Sequence, residues 1–379
     1  MRRVLVAGAG PVGLAAALTL ARGGVPVTVL EAGDGLAAES RASTFHPPTL
    51  EMLASLGVLD ELMARGLVAR TFQYRDRRGG PIATLDLAVL AGDTPYPFRV
   101  QCEQSKLTPI LREHVERLGG EVLFGQEVAR VAAEEDGVRV TTGRGGHFTG
   151  DWLIGADGAH SAVRRCLGIP FEGLTYPERF LVASVREDLE AMLPGLAPIN
   201  YVFDPDEWLV LLRTPDHWRV LLPTPDGTAD EQELARLPGR LRAVAGPGRD
   251  WEVAHASLYR VHQRVAARFM DGRVLLAGDA AHVNNPLGGL GMNSGIHDAV
   301  LMASSLVNGA VEVVGGAAVE AVAGRRREVA LGHVQAISHG NWARMRSPGR
   351  HDELRALAAD PAAARAYLLR ACLISSLRP

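Results

Sequence analysis

Short apolar runs open the chain: Val4–Ala7 and Val27–Leu30 are unbroken, and Leu14–Arg22 between them is rich in Ala and Leu. Runs of that length predict strands buried on both faces, and the stretch between them predicts a helix. Strand, helix, strand is a βαβ unit, which implies a parallel sheet. Further along, Leu107, Ile110, Leu111, Val115 and Leu118 recur at helical spacing after Gln104, and Gly119-Gly120 stops that helix. Glu121–Phe124, Val138–Thr142, Trp152–Ile154 and Arg273–Ala277 read as further strands, and Ser294–Val307 as an Ala-rich helix. The rhythm changes over Thr71–Leu87 and Phe180–Pro223, where apolar and polar residues alternate between turn signals such as Asp204-Pro205-Asp206. That alternation predicts antiparallel sheet. The C-terminal stretch, with Arg325–Arg327 near its start, reads as helical.

The turns between these elements carry the candidate chemistry. In Gly8-Ala9-Gly10-Pro11-Val12-Gly13, Gly8 permits a tight turn, Gly10 lets the backbone approach a pyrophosphate, and Gly13 lets the helix pack closely on the strand. The helix N-terminus adds N–H groups and a partial positive charge. Glu31, with Ala32 after it, ends the second strand. A carboxylate there accepts from a ribose 2′-OH and repels a 2′-phosphate, which favours FAD or NAD over NADP in this pocket. A second segment, Gly155-Ala156-Asp157-Gly158-Ala159-His160-Ser161, also follows a strand; alone it is only a polar turn. A third runs Gly278-Asp279-Ala280-Ala281-His282, then Pro286 and Gly288-Gly289-Leu290-Gly291-Met292-Asn293, and leads into a helix. Asp279 suits a polyol hydroxyl, and the Gly-rich turn exposes N–H groups suited to negative charge on a flavin.

Composition narrows the class without naming a reaction. The 379 residues, 47% hydrophobic and 22% charged, suit one large or two joined domains and argue against disorder. A formal net charge of -3 gives no basic footprint for nucleic acid and no electrostatic case for an anionic membrane. The 3 cysteines, Cys102, Cys166 and Cys372, form no CxxC or Cys/His cluster, so neither a disulfide framework nor a metal site is indicated. A reducing, cytoplasmic setting is the expectation. The apolar stretch Val4–Ala21 resembles a signal peptide only superficially, because Gly8, Gly10, Pro11 and Gly13 interrupt it where a nucleotide-binding turn needs them.

Together the three segments resemble the para-hydroxybenzoate hydroxylase family of FAD-dependent monooxygenases, in its GxGxxG, DG and GD motifs with the trailing P-x-G-G-x-G-M-N. The resemblance runs to about residue 330. It implies an α/β fold: a Rossmann-like FAD-binding domain of the glutathione-reductase type, interleaved with a β-sheet substrate domain and followed by a helical C-terminus. The expected FAD-binding domain comprises residues 1–70, 98–175 and 260–325, the substrate domain 71–97 and 176–259, and the helical segment 326–379. By the same resemblance Glu31 holds the adenosine ribose, Arg41 lies near the pyrophosphate and Gln104 beside the flavin. Asp157 supports the pyrophosphate and transient nicotinamide binding, and Asp279 holds the ribityl chain. Pro286 lines the reaction side, and Gly291-Met292-Asn293 reaches the pyrimidine edge of the ring. One departure stands out: the family's N-L-A-W-K-L helix is here Gly295-Ile296-His297-Asp298-Ala299, so that helix packs differently.

The implied reaction is hydroxylation of a phenolic or heteroaromatic ring with NADH or NADPH and O₂, through a flavin C4a-hydroperoxide. Candidate substrate contacts are Tyr201, Arg213 and Pro286; no residue is assigned the proton transfer. His46, before Pro47-Pro48, reads as a helix-start residue, and His282 as one that orients its loop. The expected partners are a small aromatic molecule and O₂, for a monomer or homodimer. Two other classes share these motifs: an FAD oxidoreductase of another type (epoxidase, dehydrogenase or reductase), and a flavin-binding regulator without activity.

Overall fold

Val4–Ala7 lies near the middle of a sheet with the order Met270–Asp271, Val274–Leu276, Trp152–Gly155, Val4–Ala7, Val27–Leu30, Glu121–Leu123. All neighbours are parallel except the edge hairpin Met270–Asp271 with Val274–Leu276. The two opening strands are buried along their whole length, as unbroken apolar runs require. The helices Pro11–Arg22, Gln104–Arg117 and Gly291–Val311 supply Leu14, Leu18, Leu107, Leu111, Ile296 and Ala303 to the same core. This computed structural model describes residues 3–38, 42–134, 136–246, 251–311, 315–347, 349 and 351–378.

A second sheet has eight strands, in the order His282–Val283, Val253–Ala266, Phe171–Val185, Trp218–Pro225, Leu209–Arg213, Ile199–Phe203, Thr71–Asp76, Gly80–Asp86. The expected antiparallel pairing holds except at one join: Ile199–Phe203 runs parallel to Thr71–Asp76. These two strands come from distant stretches of chain, so no tight turn forces them to oppose. One face of the sheet buries Phe72, Tyr74, Tyr201 and Phe203 together with Leu368 and Cys372 from the C-terminal end. The other face buries Leu209, Leu211, Trp218 and Val220 under the helix Asp230–Ala245. Phe171–Val185 and Val253–Ala266 pass through the expected boundaries near 175 and 260 without a break.

The C-terminal helical expectation is met by Gly315–Val329, a π-helical turn at Ala330–Gln335, then Ala336–Met345, His351–Ala359 and Pro361–Ala371. Among the described residues, no helix is long and apolar enough to cross a membrane.

Candidate active site

Parallel register brings the three turn motifs to one edge. Ala7 pairs with Gly155, and Gly155 with Leu276, so Gly8, Ala156 and Gly278 leave three adjacent strands at their carboxyl ends. Open α/β sheets bind ligands at such an edge. The glycines show how closely the turns are fitted. A Cβ on Gly8, whose φ is +100°, would lie 2.4 Å from the Ala156 carbonyl oxygen. One on Gly13 would lie 2.0 Å from the Gly8 carbonyl oxygen, and one on Gly278 2.9 Å from Val12. A Cβ on Gly10 would meet nothing within 4 Å. The turn is therefore closed on its protein side and open in front of the helix Pro11–Arg22, whose first N–H groups have no intrahelical acceptor. That space suits a pyrophosphate.

Glu31 does more than end its strand. Its carboxylate accepts from the main-chain N–H of Ala9 at 2.6 Å and of Gly33 at 2.9 Å, tying the glycine turn to the next loop. Ala32 beside it is exposed. Asp157 accepts from Val163 N–H through Oδ2 at 3.1 Å, while its buried Oδ1 has no partner among the described residues. An orphaned acceptor at the shared edge is what a cofactor hydroxyl would satisfy. Asp279 is exposed in the short turn Gly278–Ala280. Gln104 opens its helix, its N–H donating to Ala42 O at 3.0 Å. Arg41 lies outside the described residues.

The Asn293 side chain is used within the protein. Its Oδ1 accepts from His46 N–H at 2.9 Å and from the Thr49 hydroxyl at 2.7 Å. Its Nδ2 donates to Thr44 O at 2.8 Å and Gly289 O at 2.6 Å. An amide has two acceptor sites and two donors, and all are used. Any hydrogen bond from this residue or from Met292 and Gly291 to a ring acceptor must come from main-chain N–H groups at the helix start. His46 caps the next helix, as expected, and its Nε2 donates to Gly288 O at 2.9 Å. Burial, then the charge of Arg99, holds its pKa well below the ordinary value, so His46 is neutral.

Behind the loop, Asp298 accepts from Gly278 N–H at 3.2 Å and His282 Nε2 at 2.8 Å through one oxygen, and from Arg326 Nε at 2.7 Å through the other. His282 thus orients its loop as expected. Gly295 lets the helix touch that loop, since a Cβ there would lie 2.9 Å from Gly278 Cα. This network is what the departing Gly295–Ala299 sequence builds; the clue was an aspartate inside an apolar helix.

The candidate substrate contacts separate. Tyr201 lies on the sheet face that holds Phe72 and Tyr74, with ring centroids 6.2 and 5.5 Å away. Burial pushes its hydroxyl up to about 12. Pro286 starts the loop that carries Gly288, and its carbonyl accepts from Gly289 N–H at 3.0 Å. Arg213 lies on the other face of that sheet. It shares parity with Leu209 and Leu211, which face the opposite cluster, and successive strand residues alternate faces. Its guanidinium donates to Thr214 O at 2.6 Å and lies 6.0 Å from the Trp218 ring centroid. It lines a crevice of about 340 Å³ shared with the acids Glu187, Asp188 and Asp216, not the Tyr201 wall. Arg99 lies on that wall instead, 4.8 Å above the Phe72 ring, and Arg344 lies over Tyr74 and Tyr367. The sequence signal for Arg99 was a charge inside the short strand Arg99–Gln101.

An open glycine turn, a second and third turn at the same sheet edge, and a second sheet holding a separate aromatic wall define a dinucleotide-dependent flavoprotein. Residues 1–335 match the family described as "FAD binding domain", and the chain belongs to it, among the FAD-dependent aromatic hydroxylases. It is 36% identical over 313 residues to para-nitrophenol 4-monooxygenase of a Pseudomonas species, covering 80% of this chain and 77% of that one. It is 36% identical over 310 residues to 6-hydroxy-3-succinoylpyridine 3-monooxygenase of Pseudomonas putida, covering 80% and 79%. The crystal structure of p-nitrophenol 4-monooxygenase from Pseudomonas putida superposes with a TM-score of 0.92 at 32% identity, over 97% of this chain and 98% of that one. The chain is an FAD-dependent monooxygenase that hydroxylates an aromatic substrate with NAD(P)H and O₂.

Proposed function

We propose that this enzyme holds FAD along the edge formed by Ala7, Gly155 and Leu276 and hydroxylates a single phenolic or heteroaromatic ring against the Tyr201 wall. The observation that carries the reading is the turn at Gly10, open to solvent while Gly8 and Gly13 are filled from behind. In this assignment Gly8–Gly13 and Arg41 face the pyrophosphate, and Glu31 and Ala32 the adenosine ribose. Asp157 and Asp279 meet the middle of the cofactor. Gln104, Pro286 and the N–H groups of Gly291–Asn293 surround the flavin ring. The Rossmann-like part is then the cofactor domain and the eight-stranded sheet the substrate domain, the sheet reaching past the expected limits at 175 and 260 through Phe171–Val185 and Val253–Ala266.

FAD, when bound, supplies electron acceptance from nicotinamide and oxygen activation, which no side chain here supplies. The chain's share is placement and exclusion. Asn293 fixes the loop between the cofactor edge and the Thr44–Thr49 segment, keeping water out. Tyr201, protonated at neutral pH, offers its O–H to a substrate oxygen. Placement of a ring carbon is worth roughly 7–11 kcal/mol in favourable cases. A single ring is supported by the relatives named for p-nitrophenol and for a hydroxypyridine. We also place the enzyme in a reducing, cytoplasmic compartment as a monomer or homodimer; all its cysteines are free.

The test is a screen of NADH and NADPH consumption by the FAD-loaded protein over phenolic acids, nitrophenols and hydroxypyridines, with products and H₂O₂ quantified. Hydroxylated product matching reductant consumed supports the reading. Reductant consumption yielding H₂O₂ alone with every ring points to other redox work, and no reduction by either nicotinamide points to a regulator.

A further inference from the structure

Arg99 is buried, 3% exposed, in a wall that offers it no counter-ion among the described residues. Its Nη2 donates to the Cys372 sulfur at 3.5 Å, and its Nε has no acceptor. The ionisable groups acting on it are Cys372, Tyr201 and Tyr367, none of them a carboxylate. The other buried arginines are supplied with oxygen. Arg326 has Asp298, Arg179 has Asp230, Arg164 has the carbonyls of Ala280 and Ala159, and Arg75 has Gln73 and Gly195. A guanidinium carries five N–H donors and keeps its charge in proteins. A buried charge without a partner is costly, and a planar anion is the partner its fork fits.

Resting on the reading that the Tyr201 wall meets the ring, we propose that the substrate is an aromatic anion whose carboxylate or phenolate oxygen is bound by Arg99. Phe72 lies against the guanidinium, its ring centroid 4.8 Å from Cζ. Tyr367 and Cys372, which close this end of the wall, lie beyond the matched residues 1–335. This part of the specificity is therefore built by the chain's own C-terminal segment. Gln101, two residues along the same strand and so on the same face, has a buried Nε2 without an acceptor and can extend the donor set.

The test uses FAD-loaded protein at pH 8 and flavin absorbance titration with two pairs of probes. One pair is 4-hydroxybenzoate and its methyl ester, the other 4-nitrophenol and 4-nitroanisole. The carboxylate and phenolate sources are thereby separated. At least one anion is expected to bind about tenfold or more tighter than its neutral partner. In Arg99→Met that ratio falls to near one with FAD content unchanged, and Arg99→Lys keeps part of it. As a readout independent of probe choice, substrate-free Arg99→Met melts at or above the wild-type temperature, because an unpaired charge is gone. Equal binding within both pairs, an unchanged ratio in Arg99→Met, or a lowered melting temperature overturns the proposal. Products are scored separately. Anion binding without hydroxylation refutes the single-ring hydroxylase reading and leaves Arg99 standing; hydroxylation of a neutral ring without anion preference does the reverse.

Discussion

Arg326 Nε donates to Asp298 Oδ1 at 2.7 Å, with 2% and 0% of the two residues exposed. The ion pair joins a C-terminal helix to the helix behind the GD loop, and Asp298 passes the restraint on to Gly278 and His282. Burial favours the protonated acid, but the charge of Arg326 and the His282 contact win, holding Asp298 below the usual carboxylate range.

Removing one partner strands the other. Arg326→Ala is therefore expected to cost about 3–5 kcal/mol of unfolding free energy, far more than an exposed ion pair. Urea denaturation of the FAD-free protein checks it. A loss under about 1 kcal/mol would show that Asp298 is satisfied some other way.

Asn293 gives a sharper comparison, because its amide is used on both sides. Asn293→Ala leaves buried partners unpaired, at about 1–3 kcal/mol each for those that water cannot reach. Asn293→Asp keeps the shape but turns an acceptor oxygen toward the carbonyls of Thr44 and Gly289. It is expected to retain less FAD than the alanine variant after gel filtration. Equal or better retention by the aspartate would contradict the clamp.

The glycine turn predicts two different failures. A Cβ on Gly13 runs into the Gly8 carbonyl, so Gly13→Ala lowers the melting temperature even without cofactor. A side chain on Gly10 meets open space in the protein, so Gly10→Val folds normally and loses FAD. Melting curves of the FAD-free proteins beside flavin-binding titrations separate the two. Normal FAD affinity in Gly10→Val would remove the pyrophosphate from this turn.

His297 sets an acid sensitivity. Burial, then the charge of Arg326, lowers its pKa to about 3, and it donates through Nε2 to the Thr49 hydroxyl, which itself donates to Asn293. The unfolded chain takes up this proton near pH 6.5 and the folded one does not, so stability falls as pH drops from there toward about 3. Between pH 7 and 5 the loss from this one group is roughly 2 kcal/mol. His297→Gln should lose correspondingly less over that range in parallel urea titrations. An unaltered pH slope would mean that His297 is charged in the fold.

What the sequence revealed and what it hid follow from how local each constraint is. The cofactor edge was legible because Gly8, Gly10 and Gly13 answer to the backbone of a single turn, and strand, turn and helix are contiguous. Arg99 was not, because its surroundings come from Phe72, Tyr201 and Cys372, which only the tertiary fold assembles. Asn293 was placed near the flavin by resemblance, but its side chain serves contacts with Thr44, His46 and Thr49, far away in the chain. That Arg213 and Tyr201 fall on opposite faces was hidden for another reason. Leu209–Arg213 is apolar on both faces, so alternation did not show which face its arginine shared.

That last point can be tested by a pair of substitutions. Tyr201 stands on the wall beside Arg99, with its hydroxyl held protonated, and Arg213 lies on the reverse of the same sheet. If the ring meets this wall as proposed, Tyr201→Phe removes a donor to it while keeping the aromatic ring in place. A hydrogen bond made in the transition state is worth about 1 kcal/mol or somewhat more, so kcat/KM for the true substrate should fall about 5- to 10-fold. Product formed per nicotinamide oxidised should fall with it, while FAD content stays at the wild-type level. Arg213→Ala should leave both quantities within about twofold, since it lies on the face away from the proposed ring site and contacts Thr214 and Trp218. If Arg213→Ala uncouples the reaction and Tyr201→Phe does not, the substrate meets the other face of the sheet, and the aromatic wall is only core.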